Sequence, residues 1–413
     1  AFEPLPVVTD AEEAIKKQAP ILYEDWKDNI LHHGRYSNGD VEKAFRDADL
    51  VVKERIVSHR YHPTSIETRA IVAYYDPSKD YFTIWASTQF PHVMRTYLSE
   101  VLDFPENKIR IIAPNVGGGF GPKSHVYPDE IAVCQLSKKL GRPIQYWEDR
   151  RENITVAGHA REITHYAEMA LRKDGTILAA RTKAIANFGV YGSFWTEAQP
   201  AMLSVLAVPG PYNFQNYSYD LYGVVTNKAQ YSAHRGFGRP VGSYVVERLI
   251  DIASKKLDLD PVDVRLKNLV LPNQMPYKCA SGVIYDTGDY PRAMKKLLSF
   301  CDYKAFRKEQ EEARKNGRYI GLGFSFYVEY TAPGSSRLAK YLGWKVGGWG
   351  SASVKVDPSG KVTVSTGTAS QGQSHETIFS QIIAEELGLP FEDVYTFDGD
   401  TNVAPYGYGC WAS

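Results

Sequence analysis

Cysteine is scarce in this chain of 413 residues. The 4 present, Cys134, Cys279, Cys301 and Cys410, stand far apart and form no C-x-x-C pair. That spacing excludes a disulfide framework and the ligand patterns of a structural zinc or Fe–S site. A reducing cytoplasm is the expected location. No apolar run reaches the length that spans a bilayer. Neither sign of charge dominates, since Lys+Arg and Asp+Glu are both 48, which argues against nucleic acid or an anionic membrane as partner. No G-x-x-x-x-G-K-[ST] run exists, so a P-loop is excluded. No G-x-G-x-x-G is followed by an acidic ribose partner in a repeating βαβ series, which disfavours a dinucleotide site of the Rossmann kind.

What the chain does have is ordinary globular composition, 43% hydrophobic and 23% charged, with aromatic residues at 13% and 28 Tyr. The length suggests two or three domains, and the aromatic share suits sheet. The densest local signal is Asn115-Val116-Gly117-Gly118-Gly119-Phe120-Gly121-Pro122-Lys123. Lys108 to Ala113 before it reads as a strand. Pro128 to Leu140 after it reads as a helix stopped by Gly141 and Pro143. Glycines let a backbone approach a ligand closely, and a helix N-terminus behind them favours an anion.

Further along, Glu42 to Val52 is expected as a helix, and Val51 to Arg60 and Arg69 to Tyr75 as strands. Asp80 to Thr88 is a strand ending on Gln89, and Phe90 to Leu102 is a helix. Glu162 to Leu171 and Thr176 to Asn187 flank a Lys173-Asp174-Gly175 turn, the pattern of a hairpin. Ser218 to Thr226 is a strand, and a helix runs from about Gly242 to Leu257 behind Ser232-Ala233-His234-Arg235-Gly236-Phe237-Gly238-Arg239-Pro240. Gly321 to Tyr330 opens a second half as a strand. Ser351 to Val356 and Lys361 to Thr366 form a second hairpin, and Ser370-Gln371-Gly372-Gln373-Ser374-His375-Glu376-Thr377 leads into a helix ending at Leu387. Three glycine-and-polar loops thus each follow a strand and open a helix. Their joint reading is helix N-termini converging on one large anionic ligand such as a dinucleotide pyrophosphate. The class is α+β, mixed sheets with packed helices. Residues 1–35 are expected to be a linker or the tail of a preceding domain, 36–275 a first cofactor-binding domain and 276–413 the start of a second.

At these loops the sequence resembles the molybdenum-binding large subunit of the xanthine dehydrogenase, aldehyde oxidase and aerobic carbon monoxide dehydrogenase family, most closely the carbon monoxide dehydrogenase-like branch. The resemblance rests on Ser87-Thr88-Gln89-Phe90-Pro91-His92, Gly117 to Gly121, Ala233 to Pro240, Gln371 to Thr377, and Gly399-Asp400-Thr401 through Ala412-Ser413, in family order over nearly the whole chain. It implies a two-lobed molybdopterin-binding fold, incomplete here at both ends. It implies a molybdenum hydroxylase that oxidises an aldehyde or N-heterocycle with oxygen from water. The implied cofactor is molybdopterin with molybdenum, in a dinucleotide form such as molybdopterin cytosine dinucleotide, with [2Fe-2S] clusters and FAD on partner subunits. The alternative is a non-catalytic or non-redox molybdopterin-binding subunit.

The residue roles implied by the resemblance are specific. Gln89 would hydrogen-bond an oxo group of the metal. Gly118, Gly119, Phe120 and Gly121 would line the cofactor face. Arg235 would hold negative charge on cofactor or substrate. Gln371, Gly372 and Gln373 would contact the pterin and its phosphates, with Ala412 and Ser413 beside the metal. Phe120, His234 and Phe237 would shape the substrate pocket. No protein residue is expected to ligate molybdenum, because the pterin dithiolene supplies the sulfur. Taken singly, Gln89 reads as a polar strand end, Arg235 as a surface arginine and the phenylalanines as core.

Two departures qualify the match. The glutamate that serves the family as general base has no counterpart here, so the missing N- and C-terminal parts of the large subunit are expected from other chains, beside an Fe–S subunit and an FAD subunit. The copper-binding cysteine that follows the arginine in carbon monoxide-oxidising members is Gly236 in this sequence, which argues against a Mo–Cu site.

Overall fold

The computed structural model describes residues 3–190, 198–329, 331 and 347–410. Nine strands make the two sheets of the first part: β1 Ile30–Asn38, β2 Leu50–Tyr61, β3 Ala70–Asp76, β4 Tyr81–Ala86, β5 Ile109–Ile112, β6 Ile144–Trp147, β7 Ala160–Leu171, β8 Ile177–Gly189 and β9 Asn216–Val225. The larger sheet runs β1-β9-β8-β7-β2 and the smaller β5-β4-β3-β6. β7 and β8 form the hairpin expected around Asp174-Gly175, where Gly175 takes φ +83°. β8 then pairs parallel with β9, a long-range pairing that no local pattern announces.

The apolar stripe of the helix Arg239–Leu257 explains the main core. Val245, Val246, Leu249, Ile250 and Ala253 recur at helical spacing and are fully buried against Val52, Met169 and Leu171 of the large sheet. The helices Pro91–Leu102 and Pro128–Leu140 cover the small sheet, closing Met94, Leu98 and Val133 over Ile71, Phe82, Ile84 and Ile111.

A third sheet pairs Ala352–Val356 antiparallel to Val362–Thr366, which pairs parallel to Val394–Phe397 across the helix His375–Leu387. This unit is tied to the small sheet. The amide of Ala113 donates to the Gly399 carbonyl at 2.8 Å, that of Thr401 donates to Ile111 at 3.0 Å, and Arg110 pairs with Asp400 at 2.5 Å. The stitching brings the loop of Gln371 beside the loop of Gly119.

The structure corrects several expectations. The helix expected over 42–52 spans only Val41–Arg46, because Leu50 already enters the ladder opposite Leu171. The strand expected at Gly321 to Tyr330 is absent over 321–329; that stretch is largely exposed and has no partner strand among the described residues, while Tyr330 lies outside them. A helix at Tyr290–Phe300 was not anticipated. The first helix N-terminus also proves unavailable to a ligand. At Pro128–Leu140 the N-cap amide of Tyr127 donates to its own Glu130 carboxylate at 2.9 Å, and Asp129 is held by Arg69. That end does not line the cavity described next.

Candidate active site

β4 delivers Ser87-Thr88-Gln89 to the end of the small sheet. Gln89 is buried and held at three points: its amide donates to the Lys123 carbonyl at 2.9 Å, its carbonyl accepts from the Cys410 amide at 3.1 Å, and its Oε1 accepts from the Gly121 amide at 2.8 Å. The last bond fixes the orientation of the side-chain amide. Oε1 is committed to the protein, so Nε2, with no partner among the described residues, is left as a donor on a side chain that lines the cavity.

The glycine loop packs tightly against its neighbours. A Cβ on Gly119 would sit 2.2 Å from Gln371 Oε1 and 2.6 Å from Gln89 Cδ. A Cβ on Gly121, at φ +124°, would sit 2.3 Å from the Ala233 carbonyl oxygen. These two contacts bring three distant stretches of sequence, 119–121, 233–235 and 371, to one place. Phe120 itself adopts φ +58° and stays 45% exposed, so its ring is not spent in the core. Its carbonyl accepts from the Arg235 amide at 3.0 Å.

The three loops surround a cavity of about 920 Å³. Its lining includes Gln89, Gly119, Phe120, Gly121, His234, Arg235, Phe237, Gln371, Gly372 and Gln373. Gly118 stands behind it, against Ser65 and the Phe120 ring. Ala412 and Ser413 lie outside the described residues. The Arg235 guanidinium is exposed and has no ion pair or hydrogen bond among the described residues, while its carbonyl is held by Arg161 Nη2 at 2.8 Å. His234 meets Tyr61 edge-on at 5.1 Å between centroids, and its Nδ1 is buried without a partner among the described residues. Burial, reinforced by Arg161, lowers its pKa to about 4, so the ring is neutral at pH 7. Gln373 Oε1 accepts from the Gln371 amide at 2.6 Å and its Nε2 reaches Cys410 Sγ at 2.8 Å. Among the described residues no group of histidine, cysteine and carboxylate side chains is arranged to hold a metal ion, and no helix is long and apolar enough to cross a membrane.

Sequence reasoning missed the outer wall. Glu247, Arg248 and Asp251, from the helix behind the second loop, line the cavity too. They sit on the polar face of a helix whose apolar face drew the attention. Cys410 was also missed as a lining residue, although its glycine-rich stretch had been singled out. Glu67, which holds the glycine loop from behind, carries no motif that could have revealed it.

The arrangement is a large cavity walled by glycine-rich backbone, with the Gln89 amide and the Arg235 guanidinium on residues that line it. The sequence model of the molybdopterin cofactor-binding domain matches residues 22–269, and a second model of the same description matches 296–413. The chain belongs to this family, that of the molybdenum-binding large subunits. It is 38% identical to the carbon monoxide dehydrogenase large chain of Afipia carboxidovorans, over 100% of this chain and 53% of that one. It is 36% identical to the nicotine 6-hydroxylase large subunit of Paenarthrobacter nicotinovorans, over 99% of this chain and 50% of the relative. Among solved structures, quinoline 2-oxidoreductase from Pseudomonas putida 86 superimposes with TM-score 0.94 at 35% identity, covering 100% of this chain and 52% of that chain. The chain spans about half the length of the relatives it matches.

Proposed function

We propose that this chain is the cofactor-holding part of a molybdenum hydroxylase that oxidises an aldehyde or N-heterocycle with oxygen from water. One observation carries the reading: Gln89, immobilised by the glycine loop, keeps an amide donor, and Arg235 a guanidinium, both without a partner among the described residues, on one cavity. The residues present suit a molybdopterin cofactor. A donor and a cation that have no partner among the described residues, and a wall closed to any Cβ at Gly119 and Gly121, leave room and complementary charge for an anionic ring system.

When bound, the cofactor supplies the two-electron redox chemistry, and the protein supplies binding, orientation and electrostatics. Gln89 Nε2 would serve as a hydrogen-bond donor to the cofactor, held ready by the bond from the Gly121 amide to Oε1. Gln371, Gly372 and Gln373 would hold the pterin side; among the described residues beyond its chain neighbours, nothing lies within 4 Å of a Cβ placed on Gly372, so its backbone is open to a ligand. Gly118 acts one layer back, by letting the Phe120 ring pack where a side chain would stand. Arg235 balances negative charge on cofactor or substrate with a fork of fixed donors. Phe120, Phe237 and the neutral ring of His234 give the substrate an aromatic surround.

The proton acceptor is assigned to a part of the large subunit outside these 413 residues. Electrons leave through Fe–S and FAD subunits of a cytoplasmic complex. The two cofactor-binding lobes divide near residues 275 and 276, a reading supported by the separate family matches on either side. Gly236, at φ +87° with Pro240 only 2.4 Å from any added Cβ, offers no soft ligand for copper beside Arg235. That disfavours carbon monoxide as substrate.

Gln89→Ala tests the reading. Losing one hydrogen bond to a polarised oxygen is worth roughly 1.5–3 kcal/mol, so turnover is expected to fall about ten- to a hundred-fold with molybdenum content and circular dichroism unchanged. Unaltered turnover in a molybdenum-replete variant would rule out the assigned role.

A further inference from the structure

We propose that Glu67 is a positioning residue of this site, its carboxylate tying the strand end that carries Gln89 to both ends of the glycine loop. Glu67 Oε1 accepts from Ser87 Oγ at 3.1 Å, two residues before Gln89. Its Oε2 accepts from the Gly117 amide at 2.6 Å, where the loop begins, and from Lys123 Nζ at 2.6 Å, where it ends. The backbone closes the same clamp, because the Glu67 amide donates to the Gly117 carbonyl at 3.2 Å. Position 117 must be glycine for this to form: a Cβ there would lie 2.6 Å from Glu67 Cβ.

The far end of the clamp leads to Gln89. Lys123 is buried, with its side chain 1% exposed, and Glu67 is the anion it pairs with; Glu148 and Arg150 are the other charges it senses. Glu148 is already engaged by Arg69 at 2.8 Å. The Lys123 carbonyl accepts the Gln89 amide, and Gly121, two residues earlier, orients the Gln89 side chain. A buried ammonium that loses its counter-charge must move or deprotonate. Either response shifts the loop that holds Gln89. Glu67 itself does not line the cavity, so it acts only through these neighbours.

The test uses Glu67→Gln in the assembled complex and rests on the reading of Gln89 given above. Molybdenum loading is expected to match wild type. Turnover per molybdenum should fall about tenfold or more, with KM within about twofold, and the Mo(V) electron paramagnetic resonance signal should change. Amide hydrogen exchange over 117–123 should quicken, a readout that needs no cofactor. Adding Lys123→Met removes the orphaned charge and should recover most of the lost turnover. Ser87→Ala, which removes one arm without stranding a charge, carries the test if Glu67→Gln does not assemble; a loss of about two- to tenfold per molybdenum is expected. Full turnover per molybdenum with unchanged exchange would overturn the proposal. So would a loss of turnover only in proportion to lost molybdenum, which marks a purely structural pillar. A wild-type complex without molybdenum would instead sink the proposed function, and hydrogen exchange would still judge the clamp.

Discussion

Gly119→Val is expected to leave the complex folded and empty of molybdenum. The added Cβ lands 2.2 Å from Gln371 Oε1 and 2.6 Å from Gln89 Cδ. Gln371 could swing its amide aside, but Gln89 is pinned by Lys123, Cys410 and Gly121 and has nowhere in the wall to go. The branched side chain therefore enters the cavity or pushes the Gln89 side chain into it, and either outcome fills the space the cofactor needs. Backbone strain is not the cause, since Gly119, unlike Gly118 and Gly121, has no positive φ. The helix Pro128–Leu140 keeps its Glu130 cap and its buried Val133 and Cys134, so helicity should persist. Far-UV circular dichroism with metal analysis reads both halves of the expectation. Native helicity with full molybdenum occupancy would show that this loop does not touch the ligand.

Arg265→Leu carries the largest expected cost in stability. Arg265 is fully buried and bonds Glu247 Oε2 at 2.8 Å, Asp251 Oδ1 at 2.8 Å and the Pro261 carbonyl at 3.0 Å, joining the helix Pro261–Asn268 to Arg239–Leu257. Glu247 is buried as well, and burial already raises its pKa. Removing the arginine leaves the buried Glu247 carboxylate without its counter-charge and with the Tyr212 hydroxyl at 2.5 Å as its remaining side-chain donor, at a cost of about 3–5 kcal/mol. Leucine fills the volume, so the loss comes from charge rather than from a cavity. Adding Glu247→Leu should recover much of it, because replacing both partners leaves no buried charge. Denaturant titration followed by tryptophan fluorescence should show the single variant well below wild type and the double above the single. A single variant as stable as wild type would mean that the cavity and Tyr212 satisfy the Glu247 carboxylate without Arg265.

Local chemistry made much of the fold legible. The helix Pro128–Leu140 announces itself by Pro at its start, acids in its first turn and Gly141 after it, and its bounds match the reading. The β7–β8 hairpin follows from Asp174-Gly175. What stayed hidden was non-local. The parallel seam of β8 with β9 depends on a crossover, and 321–329 alternates like a strand yet finds no ladder. The site was legible as loops and not as a shape. Glycine-rich stretches pointed to Gly119, Arg235 and Gln371, but the anion argument placed too much on helix N-termini, one of which is capped by its own Glu130. The polar groups that hold the loops, Glu67 and Arg161, look like any charged residue until the chain is folded around them.

The central claim is that the cavity between the three loops holds a molybdopterin cofactor. The direct measurement is the ratio of molybdenum and released pterin to this chain in the native complex purified without added metal. One molybdenum and one pterin, the latter released as a dinucleotide on denaturation, are predicted per chain. A complex that is intact by native mass spectrometry and contains neither would contradict the account.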